Sequence, residues 1–100
     1  MAASPQVPAH YYVAPNRPNP FNPETVIEFG LPAASPVTLR VYNVSGRLVR
    51  RLIDEEMSAG VHVVRWNARD SKGSAMPSGI YFYELRARSF AQQRRMVLLR

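Results

Sequence analysis

The chain is predicted to be all-β, a two-layer sandwich of six to seven antiparallel strands, and three observations carry that prediction. From Thr25 onward, apolar residues recur with a period of two in short runs, as side chains do when they alternate between the faces of a strand. Turn-forming residues separate the runs at intervals of about eight to twelve residues, the punctuation of a sandwich or barrel. No segment long enough to be a helix shows the period of about 3.6 residues that a helix requires.

At 100 residues the chain has the size of one domain, since domains cluster at roughly 100–150 residues. Such a chain buries about two thirds of its unfolded surface, and its 46% hydrophobic content is enough for a core without staples. Cysteine is absent, which removes disulfides and thiolate metal sites. No apolar stretch approaches the ~20 residues of a membrane helix, so no transmembrane segment is expected. Residues 1–10 lack a positive segment followed by an apolar one and are read as a leader or linker rather than a signal peptide. An exported parent would carry its signal peptide upstream. The domain proper is expected over residues 11–100.

Pro5, Pro8, Pro15, Pro18, Pro20 and Pro23 crowd the first quarter of the chain. Proline lacks the N–H and restricts the residue before it, which excludes this stretch from helix and from central strand. It reads as a polyproline-like linker that becomes a lead-in at Pro18-Asn19-Pro20-Phe21-Asn22-Pro23. The first strand is expected at Thr25–Leu31, with Ile27, Phe29 and Leu31 inward and Glu28 and Gly30 outward. The second, Val37–Val44, turns Val37, Leu39 and Val41 inward and Thr38, Arg40 and Tyr42 outward. Ser45-Gly46-Arg47 makes a tight turn into Leu48–Ile53, because Gly46 tolerates the positive φ of a short hairpin.

Ala59-Gly60 opens the next strand, Val61–Trp66, where His62, Val64 and Trp66 share a face. Trp66 is the natural core anchor, able to bury ~150–250 Å². Asn67–Ser78 is a polar loop. Gly79–Arg88 is the longest strand, with Tyr81, Tyr83, Leu85 and Ala87 opposed to Glu84, Arg86 and Arg88. The last run is Arg94–Arg100, where Met96, Val97, Leu98 and Leu99 are expected to be apolar and buried on both faces of an edge strand.

The net charge of +6 comes from twelve arginines and Lys72 against seven acids. A basic surface points to anionic partners. Arg40, Arg65, Arg86 and Arg88, however, alternate with apolar residues and are expected on the solvated faces of strands. No nucleic-acid motif accompanies them, so nucleic acid is not expected as a partner.

Five motifs in order resemble a known family. They are Pro18-Asn19-Pro20-Phe21-Asn22-Pro23, the stretch from Val41 to Val49 around Gly46, and Ala59-Gly60 to Trp66. Ser78-Gly79-Ile80-Tyr81 to Leu85 and the closing Arg95-Met96-Val97-Leu98-Leu99 complete the set. Together they resemble the type A C-terminal sorting domain of the type IX secretion system, itself similar to the immunoglobulin-like domain of flagellar hook-capping proteins. The resemblance implies an immunoglobulin-like β-sandwich of about seven strands at the end of a larger secreted bacterial protein. It also implies export through the periplasm to the cell surface or medium, with the secretion machinery of the outer membrane and the upstream domains of the parent as partners. The sorting signal it implies lies at Gly79, Tyr81, Arg95, Met96, Val97, Leu98, Leu99 and Arg100, at the place where the family's signal ends.

The chemistry-bearing residues leave no catalytic site to expect. His10 lies in the lead-in and His62 on the Trp66 face, and neither pairs recognisably with a serine or an acid, as a general base requires. Asn67, Asp70, Ser71 and Gly73 loosely resemble a calcium loop. A tight site uses several carboxylates, so a turn capped by its own Asn67 and Asp70 is expected, with no metal or cofactor. Tyr42 and Phe82 face away from the core as sugar-binding platforms do, which makes an accessory carbohydrate-binding or structural module of an extracellular enzyme the alternative function. Their other expected role is packing under the lead-in, with Phe21 as companion. The closing strand is suited to recognition by strand addition, with its flanking arginines guarding against aggregation.

Overall fold

The computed structural model describes residues 7–100. In these the strands are β1 (Tyr12–Val13), β2 (Thr25–Leu31), β3 (Ser35–Asn43), β4 (Leu48–Met57), β5 (Gly60–Trp66), β6 (Gly79–Ala87) and β7 (Phe90–Leu98). One sheet has the order β1-β2-β5 and the other β4-β3-β6-β7, and every strand pairing is antiparallel. This is the immunoglobulin-like sandwich that the motifs imply. Ile27, Phe29 and Leu31 of β2, Val37, Leu39 and Val41 of β3, and Tyr83 and Leu85 of β6 join Trp66 in one buried cluster. These are the inward positions of the period-two pattern, and their removal from water is the main force holding the sheets together.

Several boundaries differ from the expected ones. β4 runs on past Ile53 because Asp54, Glu55 and Glu56 pair with Thr38, Val37 and Pro36. Backbone pairing does not need apolar side chains, and on an edge strand the charges stay in water. β7 likewise begins at Phe90 and stops at Leu98, since Ala91, Gln92 and Gln93 pair with Arg86, Leu85 and Glu84. Arg88 lies in the β6–β7 turn with φ of 53°, so it is not a strand residue. Arg40 sits half-buried on β3, and its Nε atom is buried without a partner among the described residues.

The proline-rich stretch is a crossover and not a polyproline linker. Residues 1–6 of the expected leader lie outside the described residues. Ala14 N–H donates to Glu28 O at 2.8 Å, and Arg17 and Val26 exchange bonds of 2.9 and 2.8 Å. Asn16 is buried and donates to Thr25 Oγ1 at 3.0 Å and to Pro18 O at 3.2 Å. The Arg17–Pro18, Asn19–Pro20 and Asn22–Pro23 bonds are cis. Prolines supply no donors, so the residues between them pin the segment first to β2 and then to β7.

Candidate functional site

Motif residues from three segments converge on one end of the four-stranded sheet. There the β3–β4 hairpin, the start of β6 and the end of β7 meet. The hairpin tip is closed by Asn43, whose Oδ1 accepts from Ser45 N–H at 3.0 Å and from Arg47 N–H at 3.0 Å. Gly46 takes φ of 82°, which a side chain would oppose.

The residues implied as a sorting signal divide into two groups. Met96 and Leu98 are fully buried. Tyr81 is buried too, edge-on to Trp66 with ring centroids 5.6 Å apart, and its hydroxyl donates to Pro77 O at 2.7 Å. Burial raises the pKa of this phenol, with Arg100 opposing. These three hold the strands together. On the outer face, half-buried Val97 pairs with Ile80, which is 39% exposed, and Leu99 follows at 53%. Leu99 therefore stands out of the core, contrary to the expected burial on both faces. Gly79 pairs with Leu98 at the start of β6, and exposed Arg95 pairs with Phe82.

Arg100 and Arg94 are tied down. Arg100 N–H donates to Ser78 Oγ at 2.8 Å, and its guanidinium donates to Ala68 O at 3.1 Å and to Met76 O. Arg94 Nε donates to Val13 O at 2.6 Å, joining the two sheets. Exposed Arg95 forms no ion pair among the described residues.

Two residues missing from the expected signal complete the surface. Ile80 and Val44, the latter 69% exposed, help to line a cleft of about 290 Å³ with Met76, Ser78 and Tyr81. Their signal was present in the chain: both are apolar at positions where the period-two pattern demands an outward side chain.

The other motif residues have structural places. Trp66 is 1% exposed, 5.8 Å from Phe21 between ring centroids, and its Nε1–H donates to Arg69 O at 2.9 Å. Phe21 is thus a core residue, and the expectation that it covers Tyr42 and Phe82 is corrected. Those two rings pair across β3 and β6 on the outer face, half-buried beside Glu84 and Gln93. Gly60 opens β5 opposite Leu31. Pro18 and Asn19 accept hydrogen bonds, from Thr25 Oγ1–H at 3.0 Å and Val97 N–H at 2.9 Å, while Pro20, Asn22 and Pro23 lie exposed on either side of Phe21.

His62 stacks on Phe29 at 5.3 Å, with Nε2 2.8 Å from Ser58 O, which is a packing role at the core edge. Asp70 Oδ1 accepts from Lys72 N–H at 3.0 Å and Ser74 N–H at 2.8 Å, and Asn67 Oδ1 from Arg69 N–H at 3.2 Å. Both side chains cap their own loop.

The model of the FlgD Ig-like domain family matches residues 19–89. The basal-body rod modification protein FlgD of Salmonella typhimurium is 38% identical over 48 residues, covering 48% of this chain and 21% of that protein. FlgD of Salmonella typhi matches equally, so the chain spans 21% of the curated relatives it matches. Among solved structures, dimeric latent PorU from Porphyromonas gingivalis superposes with a TM-score of 0.74 at 17% identity, over 91% of this chain and 10% of that one. PorZ of the same organism, described as an essential bacterial surface component of the type-IX secretion system, gives 0.58 at 22% identity over 90% and 11%. FLGD from P. aeruginosa gives 0.59 at 26% identity over 74% and 61%. For PorU and PorZ the likeness is one of fold.

Proposed function

Because the chain belongs to the FlgD Ig-like domain family, we propose that it is a non-catalytic C-terminal module of a larger secreted bacterial protein. It directs that protein through the type IX secretion system to the cell surface or medium. The likeness in fold to PorU and PorZ supports this reading. The observation that carries it is the outer-face surface of Ile80, Val97 and Leu99 beside Arg95, where the closing motif leaves apolar side chains in water. Apolar groups exposed together next to an exposed cation are chemistry that a protein receptor recognises. The outer-membrane secretion machinery is that receptor, and the cargo is whatever stands upstream.

The test fuses residues 11–100 behind a signal peptide and a reporter in a cell with a type IX system. The fusion should reach the medium or surface. Deleting Arg95–Arg100 removes part of β7 and confuses misfolding with lost recognition. The informative variant is Ile80→Ser with Leu99→Ser, which changes exposed positions and should leave a folded reporter in the periplasm. Normal export of that variant overturns the assignment.

A second reading, an accessory polysaccharide-binding module, is favoured by the Tyr42–Phe82 pair, which the lead-in leaves uncovered.

A further inference from the structure

The free edge of the four-stranded sheet carries a feature that export does not use. Along β4, Leu48, Arg50, Arg51 and Ile53 have partners on β3, while Val49 and Leu52 are skipped by register shifts. A bulge bends a strand and re-aims its side chains. Arg50 and Arg51 lie between the two shifts, paired with Val41 and Arg40, and both line one cleft. The Val49 carbonyl accepts from Ser71 N–H at 3.3 Å, fixing the loop that follows Trp66 as the opposite wall and bringing Lys72 in.

This cleft holds about 630 Å³ and adjoins a second of about 420 Å³, which shares Asp70, Ser71 and Lys72 and adds Arg47. Arg47, Arg50, Arg51 and Lys72 form no ion pair among the described residues. The one carboxylate here, Asp70, is committed to its loop by two backbone N–H bonds at Oδ1. The loop is held in turn by Trp66 Nε1–H on Arg69 O and by the Arg69 guanidinium on Gly73 O at 2.7 Å. The loop backbone that carries Lys72 is thus held in place. On the other side of the hairpin, Asn43 belongs both to the Arg47 cleft and to a groove of about 340 Å³ holding Tyr42, Phe82, Glu84 and Gln93.

We propose that this belt around the β3–β4 hairpin binds an acidic polysaccharide. Sugar rings lie against Tyr42 and Phe82, and carboxylate, phosphate or sulfate substituents enter between Arg47, Arg50, Arg51 and Lys72. Aromatic faces offer apolar area with a defined geometry, and the Asn43 side-chain N–H groups and the Gln93 amide supply the donors and acceptor that hydroxyls need. Both Glu84 oxygens accept from the Arg86 guanidinium, at 3.0 and 3.4 Å, so the aromatic groove carries no unpaired charge, and its separation from the cationic cleft favours a polymer whose charge is spaced along neutral sugars. The proposal rests on the polysaccharide reading of Tyr42 and Phe82 and is independent of export.

The test titrates the full chain at physiological salt with polygalacturonate, with neutral dextran and with single-stranded DNA. Polygalacturonate should bind. Its affinity should fall more than about tenfold in Arg50→Gln/Arg51→Gln/Lys72→Gln but change less than about twofold in Arg17→Gln/Arg65→Gln/Arg88→Gln, which removes equal charge elsewhere. Tyr42→Ala/Phe82→Ala should also weaken it. Equal losses in the two triple variants would mean diffuse attraction and overturn the cleft. Tighter binding of DNA than of polygalacturonate would overturn the polymer class. Dextran bound as well as polygalacturonate, and unaffected by the charge variants, would sink the charged cleft while the plain polysaccharide reading survived.

Discussion

Phe21 and Leu98 are bridged in parallel: Phe21 N–H donates to Val97 O and Leu99 N–H donates to Phe21 O, both at 3.0 Å. The lead-in thereby covers the end of the β7 edge, which an edge strand otherwise presents as a template for another chain. Asn19 Oδ1 adds a bond of 2.9 Å from Val97 N–H. A receptor that adds a strand at this end must first displace the lead-in, so recognition by outward side chains needs less rearrangement than strand addition there.

Asn19→Ala should therefore loosen this end without unfolding the domain. The expected loss is about 1 kcal/mol. Hydrogen exchange at the Val97 amide should quicken while central β3 amides stay protected. Unchanged exchange at Val97 would show that the bond contributes nothing.

Trp66 fills the space between Phe21 and Tyr81, with centroids 5.8 and 5.6 Å away. Trp66→Ala should destabilise by about 3–5 kcal/mol, a large part of a small domain's stability. It also removes the donor to Arg69 O. A urea melt with a change below about 1 kcal/mol would contradict its burial.

Gly30 is buried beneath the Tyr12 ring, and a Cβ there would collide with that ring and approach Pro8 Cγ to 2.9 Å. Gly30→Ala should cost about 1–3 kcal/mol by overpacking and disturb the bond of 2.8 Å from the Tyr12 hydroxyl to Glu28. In a Tyr12→Ala background the same change should cost much less. Additive losses in the double-mutant cycle would refute the contact.

Tyr83 donates its hydroxyl to Ala14 O at 2.7 Å. Burial pushes its pKa from 10.0 up to about 12, with the Asn16 backbone and Arg94 opposing. The unfolded chain releases this proton near 10.0 and the folded chain near 12. Between those values the unfolded state holds fewer protons, so stability is complete below the first and falls as pH rises toward the second. The loss is on the order of 2 kcal/mol. Tyr83→Phe should cost about 1 kcal/mol at neutral pH and flatten the alkaline decline in urea midpoints. Equal alkaline slopes in both proteins would disprove the role of Tyr83.

The faces of the strands were legible from the chain alone. Ile27, Phe29 and Leu31, or Tyr81, Tyr83 and Leu85, fall on one side because alternation is a local property of extended backbone. The Gly46 turn was equally legible, since it depends on one residue's φ. What alternation could not reveal was which backbone donors would be satisfied at a distance. The polar segments Asp54 to Met57 and Phe90 to Gln93 became strand because β3 and β6 were there to pair with them. Phe21 became core, and its segment a cover for β7, because the donors between the prolines met carbonyls from the far end of the chain. Arg50, Arg51 and Lys72 line one cleft because the Ser71–Val49 bond brings the loop after Trp66 against β4. Pairings between distant segments are settled by the packing and hydrogen bonding of the whole chain, and no local pattern encodes them.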